Sequence, residues 1–374
     1  MYTDFLTLFI VFSLFLVYFC KKNNLLVDFK LEKHKRFSSK LKINSIGGIL
    51  LISFFIYEYL FIDQNFSLLL FLICIFFIGL MSDVKRLNSV SLRFILQIAL
   101  VIFFAKIIGL EIKSTRIEFL DLILSNNLAN IIFVSFCLMV LINGGNFIDG
   151  LNGLLIKYYL LIYLVIFFNF DYNINTNTDF LLNLIIVLSL ILLLNLCGFI
   201  YMGDSGAYLL SLFTGIYLIN FSYNNEYISP FFITVLLWYP CFELLFSMIR
   251  RFIDKSETYK PDTSHLHQLV YYFIKKKKFR YENSLIHFIT SLLINSYNLF
   301  IFIFAMHFIY NSKVLILMIM TNIFIYVLLY FFLKKNIKWI INKFVHGVFK
   351  IYNYLYTSDC INNWIWINFF KKIH

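Results

Sequence analysis

The sequence predicts an all-α, polytopic transmembrane helical bundle, and three observations support this prediction. First, 61% of the 374 residues are apolar and only 14% are charged, whereas a typical soluble domain carries about 25% charged residues. Second, apolar runs that approach the length of a bilayer crossing recur along the whole chain. Third, 3 Pro and 13 Gly leave few turns. The composition therefore excludes soluble globular, disordered and disulfide-scaffold proteins.

Eleven apolar runs predict eleven helices, of which about 10–11 cross the membrane. The predicted spans are 4–20, 46–62, 66–81, 92–110, 128–142, 153–168, 181–197, 206–221, 229–249, 284–310 and 313–333. The first run lacks a small-residue cleavage site, so it is predicted to be retained. Residues 1–333 are predicted to form an integral membrane domain. Residues 334–374 alternate Lys with aromatic residues and predict a cytoplasmic amphipathic tail, with a buried or disordered tail as the alternative.

The positions of the basic residues predict the orientation in the membrane. Of the 32 Lys and Arg residues, 27 fall on one side, in segments 21–45, 82–93, 250–283 and the tail after 333. Because Lys and Arg collect in cytoplasmic loops, the N-terminus is predicted outside and the C-terminus in the cytoplasm. The basic residues in the loops on one side of the membrane thus account for the net charge of +12, and no nucleic-acid partner is predicted.

Rare polar residues and glycines cluster at helix ends on the predicted cytoplasmic side. The clusters are 45–48, 82–93, 143–153, 198–206 and 261–268. Asp83, Asp149 and Asp204 lie at membrane-adjacent helix ends, where a carboxylate is costly unless it is paired or bound to a metal. Each alone could be a helix cap. Together with Asn143 and Asn146 they offer hard oxygen ligands, which suit Mg²⁺ and a phosphorylated substrate.

Glycines and histidines of these clusters suggest contacts with phosphate. Gly144, Gly145 and Gly203 could expose backbone N–H groups to a phosphate, although helix packing is an equal alternative for such glycines. His265 and His267 have a poor spacing for zinc but suit a diphosphate. Their polar loop is expected to be open, so removing either ring should leave no cavity.

One acidic residue falls inside an apolar run. Glu243 lies in the predicted span 229–249. It is either a proton-relay group or a hydrogen-bonded interior carboxylate, and the second interpretation is favoured.

Four motifs in order, with a weaker fifth, resemble the polyprenyl-phosphate N-acetylhexosamine-1-phosphate transferases, glycosyltransferase family 4. The segments are HKRFSSKLKINSIGGI, GLMSDVKRL with SLRFILQ, NGGNFIDGLNGL, GFIYMGDSGAYLL and PDTSHLHQL. The HLH form resembles the WecA-type branch more than the related phospho-MurNAc-pentapeptide translocase. Three residues depart from the family pattern: Ser82 replaces the first Asp of an Asp-Asp pair, Asn152 replaces an Asp, and Gln268 replaces a His.

The resemblance implies transfer of N-acetylhexosamine-1-phosphate from a UDP-sugar to polyprenyl phosphate, with release of UMP. It implies a bacterial inner membrane enzyme that initiates a cell-surface glycan, such as lipopolysaccharide or a cell-wall polymer. A homodimer is one expected assembly. The alternatives are a catalytically inactive homologue that acts as a scaffold, because of Ser82, and a polytopic transporter.

The same resemblance implies the roles of individual residues. Asp204 and Asn146 are expected to bind Mg²⁺, with Mn²⁺ as an alternative. Asp83 is expected to orient or deprotonate the lipid phosphate, and Asp149 to lie near the nucleotide. The remaining candidates are substrate-binding residues: Ser82, Arg93, Asn143, Asn152, His265 and His267.

Overall fold

The computed structural model describes residues 2–26, 43–170, 178–254, 264–277 and 283–357. These residues form α-helices and no β-strand, apart from one isolated parallel bridge between Asn44 and Ile200. In chain order the helices are α1 (Tyr2–Lys22), α2 (Gly47–Phe61), α3 (Phe66–Asp83), α4 (Val90–Ile108), α5 (Glu118–Leu124), α6 (Asn127–Ile148), α7 (Leu154–Asn169), α8 (Thr178–Leu196), α9 (Gly203–Asn224), α10 (Pro230–Ile253), α11 (Leu266–Lys277), α12 (Asn283–Met306) and α13 (Ser312–Thr357). The predicted all-α fold is confirmed.

Every one of the eleven predicted spans coincides with a helix. The structure adds two helices that the apolar runs did not reveal, the seven-residue α5 and the amphipathic α11. Neither has an apolar run of spanning length. Within the described ranges, eight helices are long and apolar enough to cross a membrane, and α2 and α7 are shorter apolar helices. The chain is therefore a multi-pass membrane protein.

The chain divides into two compact units, Met1–Ile325 and Tyr326–His374. The first contains α1 to α12 and the start of α13. The second is described as far as residue 357, where α13 ends. The division predicted at 333/334 and the membrane-surface location of the tail stay predictions. Of the predicted motif segments, residues 34–42 and 261–263 lie outside the described residues.

Helix α9 lies in the core of the first unit, where it packs against α2, α3 and α6. Its start is brought very close to α3, since a Cβ atom at Gly79 would overlap the Cα atom of Ser205. A Cβ atom at Gly48 of α2 would likewise lie 2.5 Å from Ser205 Oγ. Small residues permit such close helix approach in membranes. This packing places the first turn of α9 beside the last turn of α3.

Helix α6 continues through Ile148, six residues beyond the predicted end at 142. Gly144 lies against the carbonyl group of Pro240 on α10, and a Cβ atom at Gly145 would overlap the hydroxyl of Ser211 on α9. These two glycines therefore serve helix packing, which corrects the idea that they expose N–H groups to a phosphate. Because α10 and α9 approach so closely here, a larger side chain at either position would disrupt the packing.

Candidate functional site

An ion pair joins α4 to the first turn of α9. Arg93 Nη1 lies 2.7 Å from Asp204 Oδ2, and the two side chains remain 19% and 30% exposed. Ser82 Oγ, at the end of α3, donates a 2.5 Å hydrogen bond to the same carboxylate oxygen, and Arg93 Nη1 donates to Ser82 Oγ. We call Ser82, Arg93 and Asp204 the Asp204 cluster. Three helices thus bring a hydroxyl, a guanidinium and a carboxylate to one accessible point.

Asp83 caps the N-terminus of α9 from the neighbouring helix. Its Oδ1 accepts a 2.8 Å hydrogen bond from Asp204 N, and its Oδ2 accepts bonds from Ser205 N at 3.1 Å and Ser205 Oγ at 2.7 Å. The residue before α9, Met202, makes no side-chain cap of its own. The first N–H groups of α9 therefore bind Asp83, which corrects the expectation that they are open to a phosphate.

Gly203 makes this cap sterically feasible. Its φ of +72° lies in the left-handed region, which a glycine adopts without strain. A Cβ atom at this position would lie 2.7 Å from Asp83 Oδ2. The first glycine of the MGDSG segment, Gly203, is thus required because the Asp83 carboxylate lies so close to it.

The predicted polar residues of α6 lie in and just after its last turns. Asn143 Nδ2 donates to Gln97 Oε1 of α4 at 3.3 Å and to the Met139 carbonyl at 2.9 Å. Asn146 is half-buried, and its side chain forms no hydrogen bond with the described residues. Asp149 is the half-buried residue after the helix, and its backbone N–H bonds to Gly145 O. Asn143 therefore links α6 to α4, close to Arg93.

Asn152 points toward α8 and α12. Its side-chain amide donates to the Asn195 carbonyl at 3.3 Å, and its backbone N–H lies 3.4 Å from Nδ1 of His287. Asn195 Oδ1 in turn accepts a 2.6 Å hydrogen bond from Gly153 N. The contacts of Asn152 in this structure thus hold the turn between α6 and α7, and its predicted substrate contact stays a prediction.

The two loop histidines are buried, contrary to expectation. His265 is 6% exposed and His267 is fully buried, and their rings stack with centroids 5.6 Å apart. His265 Nδ1 lies 2.9 Å from Glu243 Oε1. We call Glu243, His265 and His267 the histidine cluster. An open loop was predicted because the polar residues suggested solvent. In the structure His265 contacts Phe147 of α6 and Glu243 of α10. His267 lies against Gly150, so removing its ring would leave a cavity.

His267 is neutral in this environment. Its burial lowers its pKa to about 3, with the neighbouring His265 and His287 adding to this effect and Glu243 opposing it. Neither ring nitrogen of His267 has a hydrogen-bond partner among the residues that the structure describes, and Gly150 lies directly against Nε2. A cationic contact between His267 and a phosphate is therefore not favoured.

The end of α6 and the residue Gly150 beyond it contact the histidine cluster, and Asn143 contacts α4, the helix that carries Arg93. Phe147 packs on the His265 ring at 5.0 Å, Gly150 adjoins His267, and Asn143 reaches α4. At the start of α2, Gly47 N donates to Tyr201 O. The described parts of the five polar segments therefore meet at one end of the bundle.

Two cationic residues that the charge pattern places on the opposite side, Lys113 and Arg116, bind a separate group of loops. Lys113 pairs with Glu226 at 2.6 Å, and Arg116 donates to the carbonyl groups of Tyr227 and Tyr310. The structure thus groups the loops in the two sets that the charge pattern predicts. Which set faces the cytoplasm stays a prediction.

The described residues offer oxygen ligands for a divalent cation, but they do not form a complete ligand set. Within the described segments, no group of three or more His, Cys, Asp or Glu side chains could hold a metal ion. Asp204 Oδ2 is occupied by Ser82 and Arg93, whereas Oδ1 forms no hydrogen bond to a described residue. Asp204 and the half-buried Asn146 each offer an oxygen of the kind that Mg²⁺ prefers, and water and substrate phosphates would have to complete the coordination, as is usual for Mg²⁺.

Several residues of this end were not singled out in the sequence. Gln97, Asn195 and His287 each bridge two helices, while Ser205 binds Asp83. Ser205 could have been found from its place next to Asp204. The other three lie within or at the ends of apolar runs, where only tertiary contacts distinguish a bridging amide or imidazole from a solvated one.

Residues 65–222 match the family model of glycosyl transferase family 4. The match supports this family without favouring any branch of it. It contains the Asp204 cluster, Asp83 and the polar end of α6, whereas the histidine cluster lies beyond it. No curated protein matches the chain.

The match and the fold together support a membrane glycosyl or phosphosugar transferase. Family 4 implies transfer of a phosphosugar to a polyprenyl phosphate in general, with a sugar nucleotide as donor. The general part of the resemblance read from the sequence is therefore supported.

Proposed function

We propose that the protein transfers N-acetylhexosamine-1-phosphate from a UDP-sugar to polyprenyl phosphate and releases UMP. An oxygen of the lipid phosphate would form a bond to the sugar-bearing phosphorus while the bond from that phosphorus to UMP breaks. The observation that carries this proposal is the Asp204 cluster, where three helices present Ser82, Arg93 and Asp204 at one end of the bundle. A lipid phosphate and a soluble nucleotide could both reach this position.

The side chains of the cluster suit a reaction between phosphates. The second pKa of a phosphate monoester is ~6, so the lipid phosphate is mostly dianionic at neutral pH and needs little help from a base. Catalysis then requires positioning and charge neutralisation. Arg93 supplies a fixed positive charge and Ser82 a hydrogen-bond donor. Asp83, which is bound to the start of α9, would act mainly by holding Asp204 in place.

We propose Mg²⁺ as the cofactor, held by Asp204 Oδ1 and the amide oxygen of Asn146. When bound, the ion would neutralise charge on the diphosphate. Arg93 would keep Asp204 Oδ2 oriented, while His265 would contact the diphosphate of the donor and Asp149 its nucleotide part. Mn²⁺ offers a similar preference for oxygen ligands.

The biological setting is also part of the proposal. The 27 basic residues on one side support a cytoplasmic active end in the bacterial inner membrane. The HLH segment supports a WecA-type enzyme, and hence the initiating step of a cell-surface glycan. A homodimer is compatible with the exposed apolar helix faces, which lipid would also cover.

The deciding experiment uses purified protein, radiolabelled UDP-N-acetylglucosamine or UDP-N-acetylgalactosamine, and polyprenyl phosphate. We expect labelled lipid and one UMP per transferred sugar, loss of both in excess chelator, and near loss of turnover in Asp204→Asn. Glu226→Gln is the control, because its carboxylate lies at the other end of the bundle, 2.6 Å from Lys113.

Three outcomes would contradict parts of the proposal. Turnover unchanged by chelator removes the metal from it. A wild type that gains turnover only as Ser82→Asp shows a degenerate homologue. Uptake of a solute into vesicles without product formation favours a transporter.

A further inference from the structure

Glu243 is a carboxylate buried in an apolar helix, and one of its oxygens contacts two groups at the start of α11. It is 1% exposed in α10, and its Oε1 lies 2.9 Å from His265 Nδ1 and accepts a 3.2 Å hydrogen bond from Leu266 N. Buried carboxylates are costly unless they are hydrogen-bonded. The contacts show that this carboxylate binds the start of α11 instead of facing lipid.

The contact with Glu243 selects one form of His265. A carboxylate only accepts hydrogen bonds, so the proton of the imidazole lies on Nδ1. A contact of this ring with a phosphate would then involve Nε2. The Leu266 N–H belongs to the first turn of α11, whose N–H groups have no partner within the helix. One carboxylate oxygen therefore orients the ring and anchors the backbone that carries it.

The oriented ring lies against the predicted substrate-binding end of α6. Phe147 packs on His265 with ring centroids 5.0 Å apart, and Phe147 directly follows Asn146 in the same helix. On its other side, His265 stacks on the buried His267 with an interplanar angle of 5°. A change in the orientation of the His265 ring would therefore alter its contact with Phe147 at the end of α6.

We infer that Glu243 is a positioning residue that orients His265 toward the diphosphate of the UDP-sugar, an inference that rests on the proposed function. Glu243 itself does not touch the substrate. It holds the Nδ1–H form of His265 and fixes the ring against Phe147. The affinity for the sugar nucleotide should depend on this carboxylate, whereas the affinity for the lipid phosphate should not.

The test compares Glu243→Gln and Glu243→Leu with wild type in steady-state kinetics. Glu243→Leu should raise the KM for UDP-sugar about tenfold or more, as expected for loss of a hydrogen bond to a charged group, and leave the KM for polyprenyl phosphate unchanged. Glu243→Gln keeps an acceptor oxygen and should restore much of the loss. Glu58→Leu is the matched control, since Glu58 is equally buried, at 1% exposed, in α2.

A double-mutant cycle separates positioning from mere folding. Adding His265→Ala to Glu243→Leu should cause no further loss, because the ring is already misplaced. A purely structural role would lower the active fraction and leave both KM values unchanged. Unchanged KM for UDP-sugar in both Glu243 variants, or additive losses in the cycle, would overturn the inference. Where Glu243→Leu does not fold, Glu243→Ala takes its place with the same expected rise in the KM for UDP-sugar, and an unchanged KM in Glu243→Ala would overturn the inference.

Binding of UDP, measured calorimetrically on the same samples, distinguishes this inference from the proposed function. A wild type that binds UDP but forms no product contradicts the proposed function alone. In that case weaker UDP binding by the Glu243 variants still supports the positioning role, and equal binding overturns it. A wild type that neither binds UDP nor forms product contradicts both.

Discussion

The backbone N–H of Asp204 donates a 2.8 Å hydrogen bond to Asp83 Oδ1, so that a carboxylate on α3 caps the first turn of α9. Ser205 adds two further bonds to the same carboxylate. Asp83 therefore binds the backbone of Asp204, while Arg93 and Ser82 bind its side-chain carboxylate. The geometry gives Asp83 a structural task whether or not it also acts on substrate.

Asp83→Asn should reduce both stability and activity. An amide offers one acceptor oxygen, and its NH₂ group would face the N–H and O–H donors of Asp204 and Ser205. Loss of a helix N-cap typically costs about 0.5–2 kcal/mol, so the thermal midpoint should fall, and kcat/KM should fall more than in Ser82→Ala. The measurements are thermal unfolding in detergent and turnover.

Asp121→Asn is the matched control for this variant. Asp121 also accepts a backbone N–H bond, from Thr115 at 2.6 Å, within the other group of loops. The Asp121→Asn protein should lose stability while keeping its catalytic efficiency. An Asp83→Asn protein with an unchanged midpoint would contradict the capping role.

Ser82→Ala should leave a measurable activity. The wild type is expected to be active, because Ser82 donates to Asp204 at 2.5 Å and so orients the carboxylate. Losing a hydrogen bond to a charged group costs about 1.5–3 kcal/mol, which sets the upper limit for the loss in kcat/KM. Ser82→Asp should gain nothing, since a carboxylate there would be a like charge next to Asp83 and Asp204. Turnover at several pH values checks both variants.

His267 should make the fold sensitive to acid. Its pKa in the folded protein is lowered to about 3 by burial, while an exposed histidine has a pKa of about 6.5. Its contribution to stability is therefore complete above pH ~6.5 and declines as the pH falls below that value, because only the unfolded chain takes up the proton. The thermal midpoint of wild type should fall more steeply between pH 7.5 and 5 than that of His267→Gln. An equal pH dependence of the thermal midpoint in the two proteins would show that His267 is not the cause of the acid sensitivity.

Reporter fusions should reveal the orientation of the two ends. Fusions after residues 88, 148, 203 and 265 are expected to be cytoplasmic, and those after 64 and 175 external, since 27 of the 32 basic residues lie on one side. Opposite locations for 148 and 265 would be incompatible with the contact between Phe147 and His265.

The sequence by itself determined the membrane bundle and the segments that meet at its polar end. Hydropathy reports whether a run of residues can be buried in lipid, which is a property of the run alone. The eleven spans and the association of segments 82–93, 143–153 and 198–206 could therefore be predicted. The amphipathic α11 could not be found in this way, because it has no apolar run of spanning length. The structure shows that it packs against α12.

Only the tertiary structure decided what each polar residue contacts. Asp83 and Asp204 look alike in the sequence, yet one caps α9 and the other pairs with Arg93. Gly144 was equally compatible with phosphate binding and with packing until Pro240 of α10 was found against it. His267 belongs to a polar segment but is fully buried. Hydrogen bonds, burial and close helix approach depend on partners that are distant in the chain, such as Asp83 and Asp204, which are 121 residues apart. A local sequence pattern carries no information about those partners.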